Sequence, residues 1–242
     1  MWLTANRFQT VFWFAVIPAF VAVGLLIFAV REPGRSRELR KVRAPLSLAE
    51  LRALGPEYWW VVGVAVVFSL ARFSEAFLIL RAQSVGLPLA LVPLVLVLMN
   101  VFYAFPAYPA EVLSDNADRV TVLGLGFGIL VAADLVLALT NGIAGVTVGV
   151  GLWGLHMGFT QGLLATLIAD TAPRELRGTA YGVFNFLVGL ALLVASVLAG
   201  VLWDIVGPLA TFLAGAAFTL IALLCLAATR RIAPNVGALK SG

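Results

Sequence analysis

Long apolar runs, separated by short polar segments, fill most of this chain. Each run has about 20 residues or more, which is the length that an α-helix needs to cross the hydrocarbon layer of a bilayer. The runs are too long and too numerous for a signal peptide or for buried helices of a soluble core. The pattern predicts an all-α, polytopic transmembrane helix bundle with seven spans, at residues 8–30, 58–80, 87–108, 120–139, 143–168, 181–202 and 209–228.

The composition supports a membrane protein and excludes several other classes. Of the 242 residues, 62% are hydrophobic and 12% are charged, and the mean hydropathy is +1.05. The chain has one cysteine, Cys225, and one histidine, His156, so neither a disulfide framework nor a metal, haem or iron–sulfur site is expected. No hydrolase triad, phosphate-binding glycine loop or metalloprotease motif is present in the sequence. We expect no cofactor, no metal and no enzymatic activity.

The basic residues are strongly biased toward alternate loops. If the seven helices simply alternate, 13 of the 16 basic residues fall on one side, whereas only Arg7 and Arg81 lie near the other. The positive-inside rule assigns the basic loops to the cytoplasm and the N-terminus to the outside. The net charge of +4 then reflects topology and anionic lipid headgroups, not nucleic-acid binding. Arginine greatly outnumbers lysine, which favours a bacterium with GC-rich DNA. The expected location is therefore the inner membrane of a bacterium. The 13 residues are Arg31, Arg35, Arg37, Arg40, Lys41, Arg43, Arg52, Arg119, Arg174, Arg177, Arg230, Arg231 and Lys240.

One long hydrophilic segment divides the chain. Residues 31–56 carry a mixed-charge run and then a capping-box pattern, in which Ser47 and Glu50 satisfy early backbone donors of a short amphipathic helix. We interpret this segment as a cytoplasmic surface helix with its tether; a plain solvated linker is an equally good alternative. The predicted organisation is a single span at 1–30, the linker at 31–56, a six-helix bundle at 57–230 and a cytoplasmic tail at 231–242.

Glycines recur at helical spacing in three spans. Gly154 and Gly158 share one helix face in the fifth span. The same spacing recurs at the start of the sixth span and in the fourth span, with the pairs Gly178 and Gly182, and Gly124 and Gly128. Small residues let helix backbones approach closely inside lipid, so tight packing is the favoured interpretation. The alternative is that they let helices slide or bend during a conformational cycle.

Polar side chains inside the spans are the candidate functional residues. Arg72 and Glu75 lie one helical turn apart in the second span, and such a pair either lines a substrate or proton pathway or only neutralises itself. Asp134 lies deep in the fourth span and His156 near the middle of the fifth. His156 is a candidate proton relay, although a lone histidine is more often a hydrogen-bonding residue between helices. Asn185 in the sixth span adds a further polar group.

Two segments between spans carry a resemblance to a known family. Residues 108–119 (YPAEVLSDNADR) are similar to the Gly-x-Leu-x-Asp-Arg-x-x-Arg loop of the major facilitator superfamily of secondary transporters, in the copy between helices 8 and 9. Residues 170–182 (DTAPRELRGTAYG) resemble the junction between helices 10 and 11 of that superfamily. The resemblance covers essentially the whole chain, and it matches the first span to helix 6 and the others to helices 7–12.

The resemblance implies a mechanism and a set of gating residues. Members have two six-helix halves that rock about a central site and expose it to each side in turn. The motif aspartate falls at Asp115 and its last arginine at Arg119, and Arg174 and Arg177 lie in the second of the two segments that carry the resemblance, residues 170–182. Together they are expected to close the cytoplasmic side in one state.

The seven predicted helices are fewer than the 12 of a complete member. We expect a fragment or a mis-started reading frame, with the N-terminal half missing and supplied in the same or in a separate chain. The resemblance therefore implies the C-terminal portion of a proton-coupled transporter for a small organic solute. The alternative is a truncated, non-transporting membrane scaffold or regulatory protein. In either case the lipid bilayer is a partner and nucleic acid is not.

Overall fold

The structure, a computed structural model, describes residues 48–116 and 118–232 together with nine helical positions between 13 and 25. Met1–Pro45 and Leu46–Gly242 form two separate compact units. The predicted first span at residues 8–30 falls largely outside the described residues, as do most of the linker and the tail from residue 233 onward. The helices below belong to the second unit.

Helices and short 3-10 turns make up the regular structure of the described residues. Six segments are long and apolar enough to cross a membrane, and they match the last six predicted spans, so the all-α bundle is confirmed for this part of the chain. The helices are α1 (Leu48–Ala53), α2 (Pro56–Ala71), α3 (Ala76–Ser84), α4 (Val92–Asn116), α5 (Arg119–Leu139), α6 (Ile143–Thr171), α7 (Arg177–Ile205) and α8 (Pro208–Ile232).

Proline and glycine set two helix boundaries at opposite ends of the bundle. Pro56 occupies the first turn of α2, where a missing N–H costs nothing. Gly207 follows α7 with a φ of +104°, a conformation that a side chain would disfavour, and its N–H donates to the carbonyl of Leu202 at 3.0 Å. Pro208 then starts α8. The chain thus reverses between α7 and α8 within two residues.

α6 lies at the centre of the bundle. It packs most extensively against α4 and α5, while α8 packs against α5 and α2. Because lipid is as apolar as the core, helix association here depends on close contact. A methyl group at Gly154 would overlap the carbonyl oxygen of Met99 on α4, so close packing is confirmed at Gly154. Gly178 and Gly182 border open space instead.

Candidate functional site

The first described span is interrupted near its middle. α2 ends at Ala71 and α3 begins at Ala76, and the residues between them are not helical. The prediction of one continuous helix over residues 58–80 is therefore wrong. The expectation that Arg72 and Glu75 share a helical face is wrong for the same reason.

Serine side chains accept hydrogen bonds from backbone N–H groups at this interruption. The backbone N–H of Ser74 donates to Oγ of Ser196 on α7 at 3.2 Å, and Oγ of Ser74 accepts from the N–H of Ala76 at 3.3 Å. Such bonds offer the backbone an alternative to the helical ladder. They satisfy two of the N–H groups that the interruption would otherwise leave without partners.

A cavity of about 300 Å³ opens at the interruption. Arg72 and Glu75 of the first described span both line it. No ion pair joins these two side chains within 4.0 Å; among the described residues that criterion finds Arg119 with Asp170. The cavity wall consists of Arg72, Phe73, Ser74 and Glu75 from the interruption, Trp153 from α6, and Leu192 and Ser196 from α7.

His156 lies behind one wall of the cavity. Its ring meets that of Trp153 edge-on, with centroids 5.4 Å apart, and that of Phe68 at 6.3 Å. The side chain is fully buried, and neither ring nitrogen has a hydrogen-bond partner in the described part of the chain. The Trp153 backbone interacts with the ring at a geometry short of a hydrogen bond, and the charge of Arg72 also acts on it.

Asp134 lies behind another wall, on α5. It is fully buried, and its carboxylate oxygens have no hydrogen-bond partner among the described residues. A methyl group built on Gly215 of α8 would be 2.8 Å from Oδ2 of Asp134 and 3.1 Å from the ring of Phe73. The missing side chain of Gly215 therefore makes room for the carboxylate next to Phe73, and that ring lies in the cavity wall.

Aromatic contacts connect these positions. The Phe73 ring centroid lies 5.3 Å from that of Trp153 and 5.5 Å from that of Phe212. The structure thus gathers four of the five predicted intramembrane residues: two in the cavity and two in the layer behind it. Asn185 is the exception. It is exposed on α7, two turns from Leu192 on the same helix face, and it does not line the cavity.

A second cluster lies where α5 begins and α6 ends. α4 continues to Asn116, so most of the motif predicted as a loop is helical, and the Asp115 side chain lies outside the described part. Asp118 caps α5 by accepting from the N–H of Val120 at 3.2 Å. Arg119 forms an ion pair with Asp170 at the end of α6.

The remaining predicted gating residues differ in their contacts. Nε of Arg177 donates to the carbonyl of Ala169 at 3.1 Å, so Arg177 also binds the C-terminal end of α6. Arg174 is exposed in the 3-10 turn that follows. Asp170 was not among the predicted residues, although it opens the segment that carried the family resemblance.

Comparisons with known proteins agree with this architecture. The sequence profile of the Major Facilitator Superfamily matches residues 1–196. An uncharacterized MFS-type transporter of Methanocaldococcus jannaschii is 30% identical over 229 residues, which cover 90% of this chain and 55% of the relative. An uncharacterized protein of Mycobacterium bovis is 27% identical over 240 residues, covering 96% of this chain and 58% of that one.

A solved structure supports the fold. The crystal structure of an auto-inhibited POT family peptide transporter superposes with a TM-score of 0.59 at 20% identity, over 73% of this chain and 37% of that one. This chain spans about half the length of the curated relatives it matches. The chain belongs to the Major Facilitator Superfamily, and its described helices form one half of the fold of that transporter family.

Proposed function

We propose that the chain is the C-terminal portion of a secondary transporter that moves a small organic solute by alternating access, driven by protons. The carrying observation is the cavity at the interruption between α2 and α3, which contains an arginine and a glutamate inside a membrane-spanning segment. Charged groups at this depth are costly, and in membrane proteins they mark substrate and ion pathways. Interrupted helices next to a binding site are a recurrent device of secondary transporters.

Uneven burial supports a complementary half that completes the site. Along the apolar, membrane-crossing stretches of the spans that contain α4 and α7, 17% of residues are buried, against 39–50% in the other four spans. Both helices therefore present apolar faces that the described bundle leaves uncovered. A second six-helix half, in the same polypeptide or in another, would cover them and close the cavity.

The proposed orientation places the start of α5 and the end of α6 in the cytoplasm of a bacterium, at its inner membrane, with the N-terminus outside. One apparent exception to the charge bias supports this topology. Arg81 lies near the outer side, but its side chain is 6% exposed and donates to backbone carbonyls. It is therefore not a free loop charge of the kind that the positive-inside rule counts. Arg119, Asp170 and Arg177 then form the cytoplasmic gating cluster.

Glu75 is the proposed proton carrier. It lines the cavity and is partly exposed, so solvent and substrate reach it. Asp134 and His156 are sealed behind the aromatic wall in this state. A carrier must gain and lose its proton on opposite sides of the membrane, which requires that access.

The test is proton-driven uptake by the whole transporter that carries this chain, in membrane vesicles with an imposed pH gradient. Glu75→Gln should abolish gradient-dependent uptake, because the glutamine keeps the shape of the side chain but cannot ionise. The matched control is Glu57→Gln, in the first turn of α2 and outside the cavity. Normal gradient-driven uptake in the Glu75→Gln protein removes Glu75 from coupling. Flux that no substitution at Arg72, Glu75, Asp134 or His156 alters favours the scaffold alternative.

A further inference from the structure

Two opposite charges line one cavity without forming an ion pair. Arg72 and Glu75 both line the cavity at the interruption, and no ion pair joins them within 4.0 Å, although the charge of Glu75 acts on Arg72. The hydrogen bonds found here are those of the neighbouring serines, in which Ser196 accepts from the Ser74 backbone. Two charges in a membrane interior usually pair with each other, so their separation calls for a local cause.

Each charge is stabilised by the helix end on which it sits. Arg72 directly follows the last residue of α2, where the carbonyl groups give the helix a partial negative charge. Glu75 directly precedes α3, where the N–H groups give a partial positive charge. The guanidinium also lies over the Phe68 ring, 5.8 Å from its centroid, in a cation–π arrangement. Both charges therefore remain available to a third molecule.

We infer that the cavity binds a small zwitterion with an apolar body, an inference that rests on the proposed transport function. Arg72 would bind the carboxylate of the solute and Glu75 its ammonium group. The rest of the wall that could contact the solute is apolar or weakly polar: Phe73, Trp153 and Leu192 with two serines. A volume of about 300 Å³ is at the low end for small-molecule sites. It suits an amino acid or a dipeptide.

A solute with only one charge would fit this wall poorly. An anion would satisfy Arg72 and leave the glutamate desolvated opposite a neutral group, and a cation would do the reverse. Sites built to pair a polar group strongly reject analogues that lack it, because the protein group is then left unpaired. The preference for a zwitterion should therefore be at least 10-fold over either single-charge analogue.

The experiment measures binding to the purified whole transporter by equilibrium dialysis. The probes are radiolabelled phenylalanine and phenylalanylglycine, which differ in the distance between their ammonium and carboxylate groups. For each probe, the C-terminal amide removes the negative charge and the N-acetyl derivative removes the positive one. Uptake into proteoliposomes is measured in parallel. Arg72→Gln and Glu75→Gln are compared with Arg72→Lys and Glu75→Asp, which keep the charges, and with Arg52→Gln and Glu57→Gln, which lie outside the cavity.

The expected result is a reciprocal pattern. The unmodified probe binds at least 10-fold more tightly than both derivatives in the parent protein and in both controls outside the cavity. In Arg72→Gln the amide becomes equal to the unmodified probe, and in Glu75→Gln the N-acetyl derivative does. The charge-preserving variants retain the parent ranking.

Three results would overturn the inference. One is that neither probe binds; another is that a single-charge derivative binds as tightly as its parent. A third is that Arg72→Gln and Glu75→Gln leave the ranking unchanged. Uptake of any solute, combined with one of these results, leaves the transport function standing and rejects only the zwitterion. Zwitterion binding without uptake in any condition rejects the transport function instead.

Discussion

Arg81 is a buried link between helix α3 and the end of α5, and its removal is the most informative test of the packing. The side chain is 6% exposed. Its Nε donates to the Leu137 carbonyl at 2.9 Å and its Nη2 to the Thr140 carbonyl at 2.5 Å. Nη1 reaches Oγ of Ser84 at 3.3 Å. Leu137 is among the last four residues of α5, whose carbonyls have no partner within the helix.

The cost of Arg81→Ala follows from these bonds. A hydrogen bond from a charged donor contributes about 1.5–3 kcal/mol, so the two bonds to carbonyls amount to about 3–6 kcal/mol. The truncated side chain returns up to about 2 kcal/mol of conformational entropy that the ordered arginine had lost. The expected loss of unfolding free energy is therefore about 3 kcal/mol. Arg81→Lys keeps the charge but loses the fork geometry, so it should lose about half as much.

The assay is unfolding by SDS in mixed micelles, followed by far-ultraviolet circular dichroism. Arg52→Ala, on the exposed face of α1, is the matched control and should stay within about 0.5 kcal/mol of the parent protein. If Arg81→Ala unfolds at the same SDS fraction as Arg52→Ala, the link contributes nothing to stability. If Arg81→Lys lowers the free energy of unfolding as much as Arg81→Ala does, the charge of the side chain does not contribute to stability.

Three further predictions concern helix packing and the ion pair between Arg119 and Asp170. Gly154→Ala should destabilise the fold by about 1–3 kcal/mol because its methyl overlaps a carbonyl of α4; Gly128→Ala, in open space, should stabilise it by about 0.5–1 kcal/mol. Both are measured by the same SDS unfolding. Tyr58→Phe removes a buried 2.9 Å hydrogen bond to a carbonyl of α7 and should cost about 1 kcal/mol in that assay. A double-mutant cycle with Arg119→Ala and Asp170→Ala should give a coupling energy of about 0.5–1 kcal/mol that falls in high salt.

Each of these predictions has a contrary result. Equal effects of the two glycine substitutions would mean that the close approach of α4 and α6 relaxes without cost. A tyrosine variant as stable as the parent protein would mean that the carbonyl finds another donor. Strictly additive effects in the double-mutant cycle would mean that the ion pair does not couple α5 to α6.

The sequence is informative about the spans because a length of about 20 apolar residues is a property of the local chain. The interruption at Arg72 was not predictable in this way. It contains neither glycine nor proline, and it depends on Ser196, which is 122 residues away along the chain. The partner of Arg119 is similarly distant: Asp170 lies 51 positions later. Local patterns therefore identified the charged residues, while long-range contacts decided their geometry.

The sequence also identified ionisable residues inside the spans without showing where they lie in the bundle. Asp134 and His156 were recognisable as ionisable residues within apolar runs. Their position behind Phe73 and Trp153, outside the cavity itself, depends on how α5, α6 and α8 pack. Asn185 had the same polar signal but lies on an exposed face of α7. Composition alone cannot separate these cases, because the facing of a helix depends on its neighbours.

The two short helices of the first described span have a consequence for biosynthesis. α2 has 16 residues and α3 has nine, so at 1.5 Å per residue they are about 24 Å and 14 Å long. Neither crosses a hydrocarbon layer of about 30 Å. The translocon must therefore accept the whole 29-residue segment as one unit, with Arg72 and Glu75 in its interior. The serine of α7 that holds the interruption open is synthesised more than a hundred residues later. We expect the nascent segment to enter the bilayer as one helix, and the cavity to form only when α7 joins the bundle.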